Sequence, residues 1–209
     1  MSNGAFDFKL FIKESKDVLT NPKSYFSTMK TSGGMTEPLI KAVLYGAIAG
    51  AFAFIWSLFH IGAVSSIMAF MWYTIAAIVG LFIGAVILMV ISSICKGSTD
   101  FEANARVIAA VMVVLPVSAL LGFTSWINIY FGAIVSLVIN IFSLWLLYKG
   151  LVEALKSKPE LTKTVTFVLA AVIVLFMLFG LGAKKRADKF MNEFKSSDLK
   201  EMMTDIDKE

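Results

Sequence analysis

The polar side chains that lie within otherwise apolar stretches are the residues of this sequence that could do chemistry. Four of them could line a polar path or make specific contacts: Asn104, Arg106, Asn128 and Asn140. Asn140 lies near the middle of an apolar stretch. An amide there either bonds to a neighbouring helix or contacts a substrate, and the bond between helices is the favoured interpretation. The sequence therefore offers candidate contacts and no reaction centre.

Charged residues lie near the predicted ends of the apolar stretches. The long side chains of Lys41 and Arg106 are expected to reach lipid phosphates. Glu102 precedes Arg106 by one helical turn, a spacing that allows a local ion pair. Asp100 and Glu102 belong to a connecting loop on the cytoplasmic side. The spacing from Thr99 to Glu102 is that of a capping box, which predicts the start of a helix.

No arrangement typical of a catalytic or cofactor site occurs in the sequence. It has no phosphate-binding loop, dinucleotide fingerprint or nucleophile elbow, and no His, Asp and Glu cluster with metal-ligand spacing. The single cysteine, Cys95, excludes an intramolecular disulfide and is expected to be a buried, inert thiol. The single histidine, His60, is interpreted as an interfacial residue. We predict no catalytic residue, cofactor or metal, and a protein that is not an enzyme.

Three long segments contain no charged residue and define the elements that carry these side chains. They are residues 42–95, 107–148 and 164–183, with 54, 42 and 20 residues. At about 1.5 Å per helical residue they correspond to roughly 81, 63 and 30 Å, against a hydrocarbon core of about 30 Å. The lengths predict an all-α integral membrane protein with five transmembrane helices, arranged as two helical hairpins plus one.

The small and polar residues inside the first two segments predict where each hairpin turns. The turns are expected at residues 60–66 and 122–125, and Pro116 is expected to kink the third span. The resulting spans are five: approximately residues 39–59, 68–94, 103–121, 126–151 and 164–183.

The segment ahead of the first span is predicted to be an amphipathic helix at the membrane interface. Phe8, Phe11, Ile12 and Leu19 share one helical face, and most of the lysines lie off it. A partner-binding helix is the alternative. The predicted domains are a cytoplasmic head at 1–37, a membrane domain at 38–183 and a charged, partly helical tail at 184–209.

Basic residues are distributed unevenly between the predicted connections. Five precede the first span, and others lie in the connections at 96–106 and 149–163, whereas the two short turns have none. The positive-inside rule therefore places the N-terminus and both basic connections in the cytoplasm of a cell-membrane protein. An odd number of spans puts the C-terminus outside, against the basic residues of the tail. This distribution indicates contact with anionic lipid and not with nucleic acid.

Small residues recur every four positions in the first two spans. Gly46 and Gly50 lie in the first span, and Gly80 and Gly84 lie in the second. Such stripes allow the backbones of two helices to approach closely. Packing within the first hairpin is the favoured interpretation, and a homodimer is the alternative.

Three short stretches of the sequence resemble the YIP domain family, the prokaryotic relatives of the eukaryotic Rab-interacting Yip and Yif proteins. LTNPKSYF at 19–26, followed by Glu37-Pro38-Leu39, resembles the family's entrance motif. GSTDFE at 97–102 resembles the family's third-span start, and 140–155, with Trp145, resembles its fourth-span end. Together these stretches extend the resemblance over about residues 15–183.

The resemblance implies five spans, a cytoplasmic N-terminus and a function without catalysis. Eukaryotic members act in membrane traffic with prenylated GTPases and with one another. The chain has Thr36-Glu37-Pro38-Leu39 where those members have Asp-Leu-Tyr-Gly-Pro, so GTPase binding is not expected to transfer. The resulting hypothesis is a membrane scaffold or adaptor that organises lipids, membrane protein partners or a second copy of itself. A small transporter, channel or lipid-translocating protein is the alternative.

Overall fold

The structure is a computed structural model that describes residues 7–59 and 66–180. Its packing forms two units, Met1–Ala170 and Ala171–Glu209, and all contacts described below lie within the first. The elements are α1 (Phe8–Thr20), α2 (Pro22–Thr28), α3 (Thr36–Leu58), α4 (Ser66–Ile94), α5 (Phe101–Val111), α6 (Val114–Leu120), a 3₁₀ turn (Leu121–Phe123), α7 (Thr124–Ile127), α8 (Ile129–Lys149), a π-helical turn (Gly150–Ala154) and α9 (Pro159–Gly180).

Five helical segments are long and apolar enough to cross a membrane, which confirms the predicted fold class. They are Thr36–Leu58, Phe70–Ile94, Phe101–Ile127, Ile129–Ala154 and Pro159–Gly180, with mean hydropathies between 1.8 and 2.8. No strand occurs in residues 7–59 or 66–180. Large apolar side chains are exposed along the spans, as expected of surfaces that contact lipid acyl chains rather than water.

The third span is interrupted where the sequence predicts a kink. Pro116 has no amide hydrogen to donate to the carbonyl of Met112, and residues 112 and 113 form the turn between α5 and α6. The predicted hairpin turn at 122–125 is wrong, because the chain stays helical through Ile127 and turns at Asn128. The Asn128 side chain accepts hydrogen bonds from the amides of Tyr130 and Phe131, at 2.8 and 3.2 Å, and so caps α8.

The start of α5 differs from the predicted capping box. Asp100, rather than Thr99, is the capping residue, and its carboxylate accepts a 2.7 Å hydrogen bond from the amide of Ala103. Asp100 is the last extended residue before the helix, which is the position from which a side chain can reach the free amides of the first turn. Glu102 is therefore available for other partners. At the start of α2 the Asn21 side chain is the cap, and Pro22 takes the first helical position, where its missing amide hydrogen costs no hydrogen bond.

The two glycine stripes pack against different helices. A Cβ at Gly46 would lie 2.7 Å from the Cβ of Ala77, and one at Gly50 would lie 2.8 Å from the Cα of Phe70, so α3 meets α4 through these glycines as predicted. Gly80 and Gly84 face Met112 and Ile108 on the third span instead. The second stripe therefore joins α4 to the third span and not to α3.

The N-terminal helices pack against the membrane domain. Phe11, Val18 and Phe26 belong to the same buried cluster as Tyr45, Leu88 and Val107 of the spans. Of the four residues predicted to form the apolar face of α1, Phe11 is buried and Leu19 packs against this cluster, whereas Phe8 and Ile12 are more than half exposed. The buried face of α1 thus overlaps the predicted apolar face only in part, and the location of α1 at the membrane interface stays a prediction.

Candidate functional site

Two cations of the membrane spans are buried within the protein. Lys41 lies in the second turn of α3 and Arg106 in the second turn of α5, and each is 6% exposed. A buried charge is strongly destabilising unless it is paired and hydrogen-bonded. The prediction that both side chains reach lipid phosphates is therefore wrong, because protein carboxylates take that place.

Lys41 joins the first helix to the first span. Its Nζ lies 2.7 Å from Glu14 Oε2 on α1 and 2.7 Å from Glu37 Oε1 on its own helix. It also donates a 3.4 Å hydrogen bond to the hydroxyl of Tyr25 on α2. Burial raises the pKa of Tyr25 to about 12, against the opposing effect of the Lys41 charge, so the phenol stays neutral at physiological pH.

Arg106 joins the third span to α3 and to the loop ahead of α3. Its Nη1 lies 2.8 Å from Glu37 Oε2, and its Nε lies 2.9 Å from Glu102 Oε1, which confirms the predicted local pair. Nη2 donates to the carbonyl of Gly34 at 2.9 Å, and the Gly34 amide donates to Glu102 at 2.6 Å. Gly33 and Gly34 have φ values of 132° and 93°, which favour glycine.

Glu37 connects the two halves of this arrangement, because one of its oxygens binds Lys41 and the other binds Arg106. We refer to Glu14, Glu37, Lys41, Glu102 and Arg106 as the ion-pair network. A second set of contacts lies beside it: the Ser15 hydroxyl is 2.7 Å from the Tyr45 hydroxyl, and the Phe11 and Tyr45 rings are 5.0 Å apart. The network and these contacts fix α1 to α3.

The predicted path residues are not brought together. Asn104 is fully buried, and its amide donates to the carbonyls of Ser98 and Asp100 at 3.1 and 2.7 Å, which holds the loop before α5. Asn140 donates at 2.8 Å to the carbonyl of Ser136 in its own helix and not to another helix. Asn128 caps the N-terminal end of α8, a helix of 21 residues that is about 31 Å long.

The remaining predicted residues are as follows. Cys95 is a free thiol that is fully buried, as expected. His60 and the tail at 184–209 lie outside the described residues. The described part of the chain contains no group of three or more His, Cys, Asp or Glu residues that could hold a metal ion.

Sequence reasoning missed two of the three acidic residues of the network, Glu14 and Glu37. Glu37 and Lys41 are separated by one helical turn, so the signal for their pair was present. Glu14 pairs with Lys41 through the packing of α1 on α3, and no local spacing indicates that contact. Tyr25 reaches Lys41 from α2, again through the packing of helices, whereas Tyr45 lies one helical turn after Lys41 on α3.

These features define a multi-pass membrane protein whose N-terminal helices are fixed to the ends of the first and third spans. The model of the Yip1 domain family matches residues 16–183 of the chain. The chain therefore belongs to the Yip1 domain family, and the resemblance seen in the sequence is confirmed. The matched region begins within α1 and so includes most of the helices that the network joins. No curated protein and no solved structure matches the chain.

Proposed function

We propose that the protein is a non-enzymatic membrane adaptor that presents its N-terminal helices to partner proteins or lipids at the cytoplasmic surface of the cell membrane. The observation that carries this proposal is the docking of α1. The Glu14–Lys41 ion pair and the burial of Phe11 hold this helix on the spans. A helix fixed in this way offers its outer face in one defined orientation, which lowers the entropic cost of binding.

The outer face of α1 has the composition of a contact surface. Phe8 and Ile12, which lie one helical turn apart on one side of α1, are 57% and 53% exposed, and Leu10, on the other side, is 51% exposed. Lys9 and Lys13, beside them, are also exposed. Exposed apolar side chains bordered by basic ones suit both a protein partner and the surface of an anionic membrane. The adaptor role therefore includes lipid and membrane proteins as partners and no nucleic acid.

The hydrogen bonds at the site favour an adaptor over an enzyme or a transporter. Glu14, Glu37 and Glu102 are each paired with a cation, so none is a free general base. The side-chain nitrogens of Asn104 and Asn140 donate to carbonyls of nearby backbone, while the Asn104 side-chain oxygen accepts no hydrogen bond in the described part of the chain. A transport path along these residues would have to break such bonds at several separate places, and no observation favours that alternative.

The proposed orientation follows from the basic connections. The head, the loop ahead of α5 and the loop ahead of α9 each carry lysine, which favours the cytoplasm for all three. The fifth span then takes the C-terminus outside.

The glycine stripes do not support a homodimer. Gly46 and Gly50 contact α4, and Gly80 and Gly84 contact the third span, so both faces are already used within the protein.

A Phe8→Ser/Ile12→Ser variant of the full chain tests the adaptor role. The tagged protein is crosslinked in the cells of its own host before solubilisation, and co-purifying proteins and lipids are quantified. We expect their recovery to fall by at least about tenfold, because two apolar side chains lose their burial at the contact. Phe8→Leu/Ile12→Leu is the control and keeps the recovery. Equal recovery with the serine variant, or a reproducible absence of partners, would contradict the proposal.

A further inference from the structure

A cavity of about 520 Å³ opens between α2 and two loops at the ends of the spans. One loop follows α4 and the other follows the π-helical turn. The amide of Ser98 donates to the carbonyl of Leu155 at 2.8 Å, and the amide of Lys158 donates to the carbonyl of Cys95 at 2.9 Å. These two bonds tie the loops together, so the walls of the cavity are fixed in place. None of the five residues of the ion-pair network lines it.

The lining of the cavity combines an apolar floor with a basic, hydroxyl-bearing rim. Phe26, Ala103 and Leu155 are among the lining residues and are almost fully buried. Lys96 and Lys156 are the lining cations, and Glu153 is the lining anion. In the described part of the chain no ion pair involves any of these three. The cavity therefore has an excess of positive charge without an internal partner.

Both lysines adopt a backbone conformation that lysine rarely takes. Their φ values are 58° and 57°, in the left-handed region where a helix commonly ends on glycine or asparagine. The Gly97 amide donates to the carbonyl of Ser92, and the Ser157 amide donates to the carbonyl of Leu151. These two hydrogen bonds hold both loops in the left-handed conformation. Strained residues of this kind cluster at binding sites. The presence of lysine at both positions therefore points to a use for the two side chains.

The position of the cavity identifies the ligand that would meet it. α4 ends at Ile94, α5 begins at Phe101, the π-helical turn ends at Ala154 and α9 begins at Pro159. The cavity lies among these four helix ends, which is the level of the lipid headgroups in a spanning protein. Lysine is a common ligand of phosphate, and a half-apolar pocket of this size suits a headgroup with its adjoining glycerol.

We propose that this cavity binds the phosphate group of an anionic membrane lipid, through Lys96 and Lys156. The hydroxyls of Thr31 and Ser98 are the lining donors available to the other phosphate oxygens, since the Ser27 hydroxyl donates to the carbonyl of Ser24 at 2.9 Å. Phe26 and Leu155 contact the apolar part next to the headgroup. The site is separate from the outer face of α1 and does not depend on the adaptor role.

The test titrates dioctanoyl phosphatidic acid into the detergent-solubilised full chain. Lys96→Asn/Lys156→Asn removes both charges with a residue that tolerates the left-handed conformation, so the fold is kept. We expect this double variant to weaken binding of phosphatidic acid by about 25-fold, which is about fivefold for each lysine. Glu153→Gln removes the lining anion and is expected to tighten the binding by about fivefold. Lys158→Asn removes a charge from the same loop outside the cavity and is the matched control, with unchanged affinity.

Two further titrations separate the possible sources of the phosphate. Dioctanoyl phosphatidylcholine, whose headgroup has no net charge, is expected to bind at least about tenfold more weakly than phosphatidic acid. Inorganic phosphate is expected to compete only weakly, because it lacks the apolar part. Competition by inorganic phosphate as strong as that of the lipid would overturn the lipid assignment. Equal affinity of the double variant and the wild type for phosphatidic acid would overturn the site itself.

Discussion

An Arg106→Met variant is expected to lose about 2–4 kcal/mol of its free energy of unfolding, since removing one partner of a buried ion pair leaves the other uncompensated. The substitution leaves Glu37, Glu102 and the Gly34 carbonyl without their guanidinium partner. The Glu37 side chain is 44% exposed, so it regains some hydration, and we expect the lower part of that range. Equilibrium unfolding in mixed detergent micelles measures the loss.

The control for Arg106→Met is Lys23→Met, which removes an exposed cation from α2. Lys23 forms no ion pair in the part of the chain that the structure describes, and its loss should change the stability by less than about 0.5 kcal/mol. Glu37→Gln combined with Arg106→Met should cost less than the sum of the two single changes, because they break the same contact. A loss for Arg106→Met as small as that for Lys23→Met would show that the network does not stabilise the fold.

A Gly46→Ala/Gly50→Ala variant is expected to lose about 1–3 kcal/mol at each position through overpacking. The new Cβ at Gly46 would lie 2.9 Å from the Cα of Thr74, and the one at Gly50 would lie 2.9 Å from the carbonyl oxygen of Phe70. Both neighbours are backbone atoms of α4, so the helices must move apart. The same unfolding titration measures the effect.

Gly80→Ala is the matched control for the glycine variant. A Cβ at Gly80 would meet the flexible end of Met112 at 3.7 Å, which is an ordinary contact. Alanine favours a helix over glycine by about 1 kcal/mol, so this change should be neutral or stabilising. If both variants behaved alike, the close approach of α3 and α4 would not be a source of stability.

The number of spans could be predicted because charge is excluded from the hydrocarbon core, so the charge-free lengths fix how often the chain can cross. The second hairpin turn could not be placed as well. Gly122 and its small neighbours indicate a turn, yet helix is favoured there because a membrane leaves backbone groups without water to bond. The turn occurs instead where the Asn128 side chain replaces the missing backbone partner.

The candidate site was predictable only in part, and the ion-pair network shows why. The pairs Glu37–Lys41 and Glu102–Arg106 follow from helical spacing. A cation near the end of a span either reaches the lipid phosphates or pairs with protein, and the sequence does not choose between these outcomes. The choice depends on Glu14, which the packing of α1 brings to Lys41. Contacts between elements distant in sequence carry no periodic signal.

Hydrogen–deuterium exchange of the full chain in lipid nanodiscs tests most directly whether the N-terminal helices are docked on the spans. The amides of α1 and α2 are expected to be protected in the wild type. Lys41→Met should speed their exchange at least about tenfold, because Glu14 loses its partner. Lys13→Met, which removes an exposed cation from α1 itself, should leave the exchange of α1 and α2 unchanged. Equal exchange of α1 in the wild type and the Lys41→Met variant would contradict the docked head.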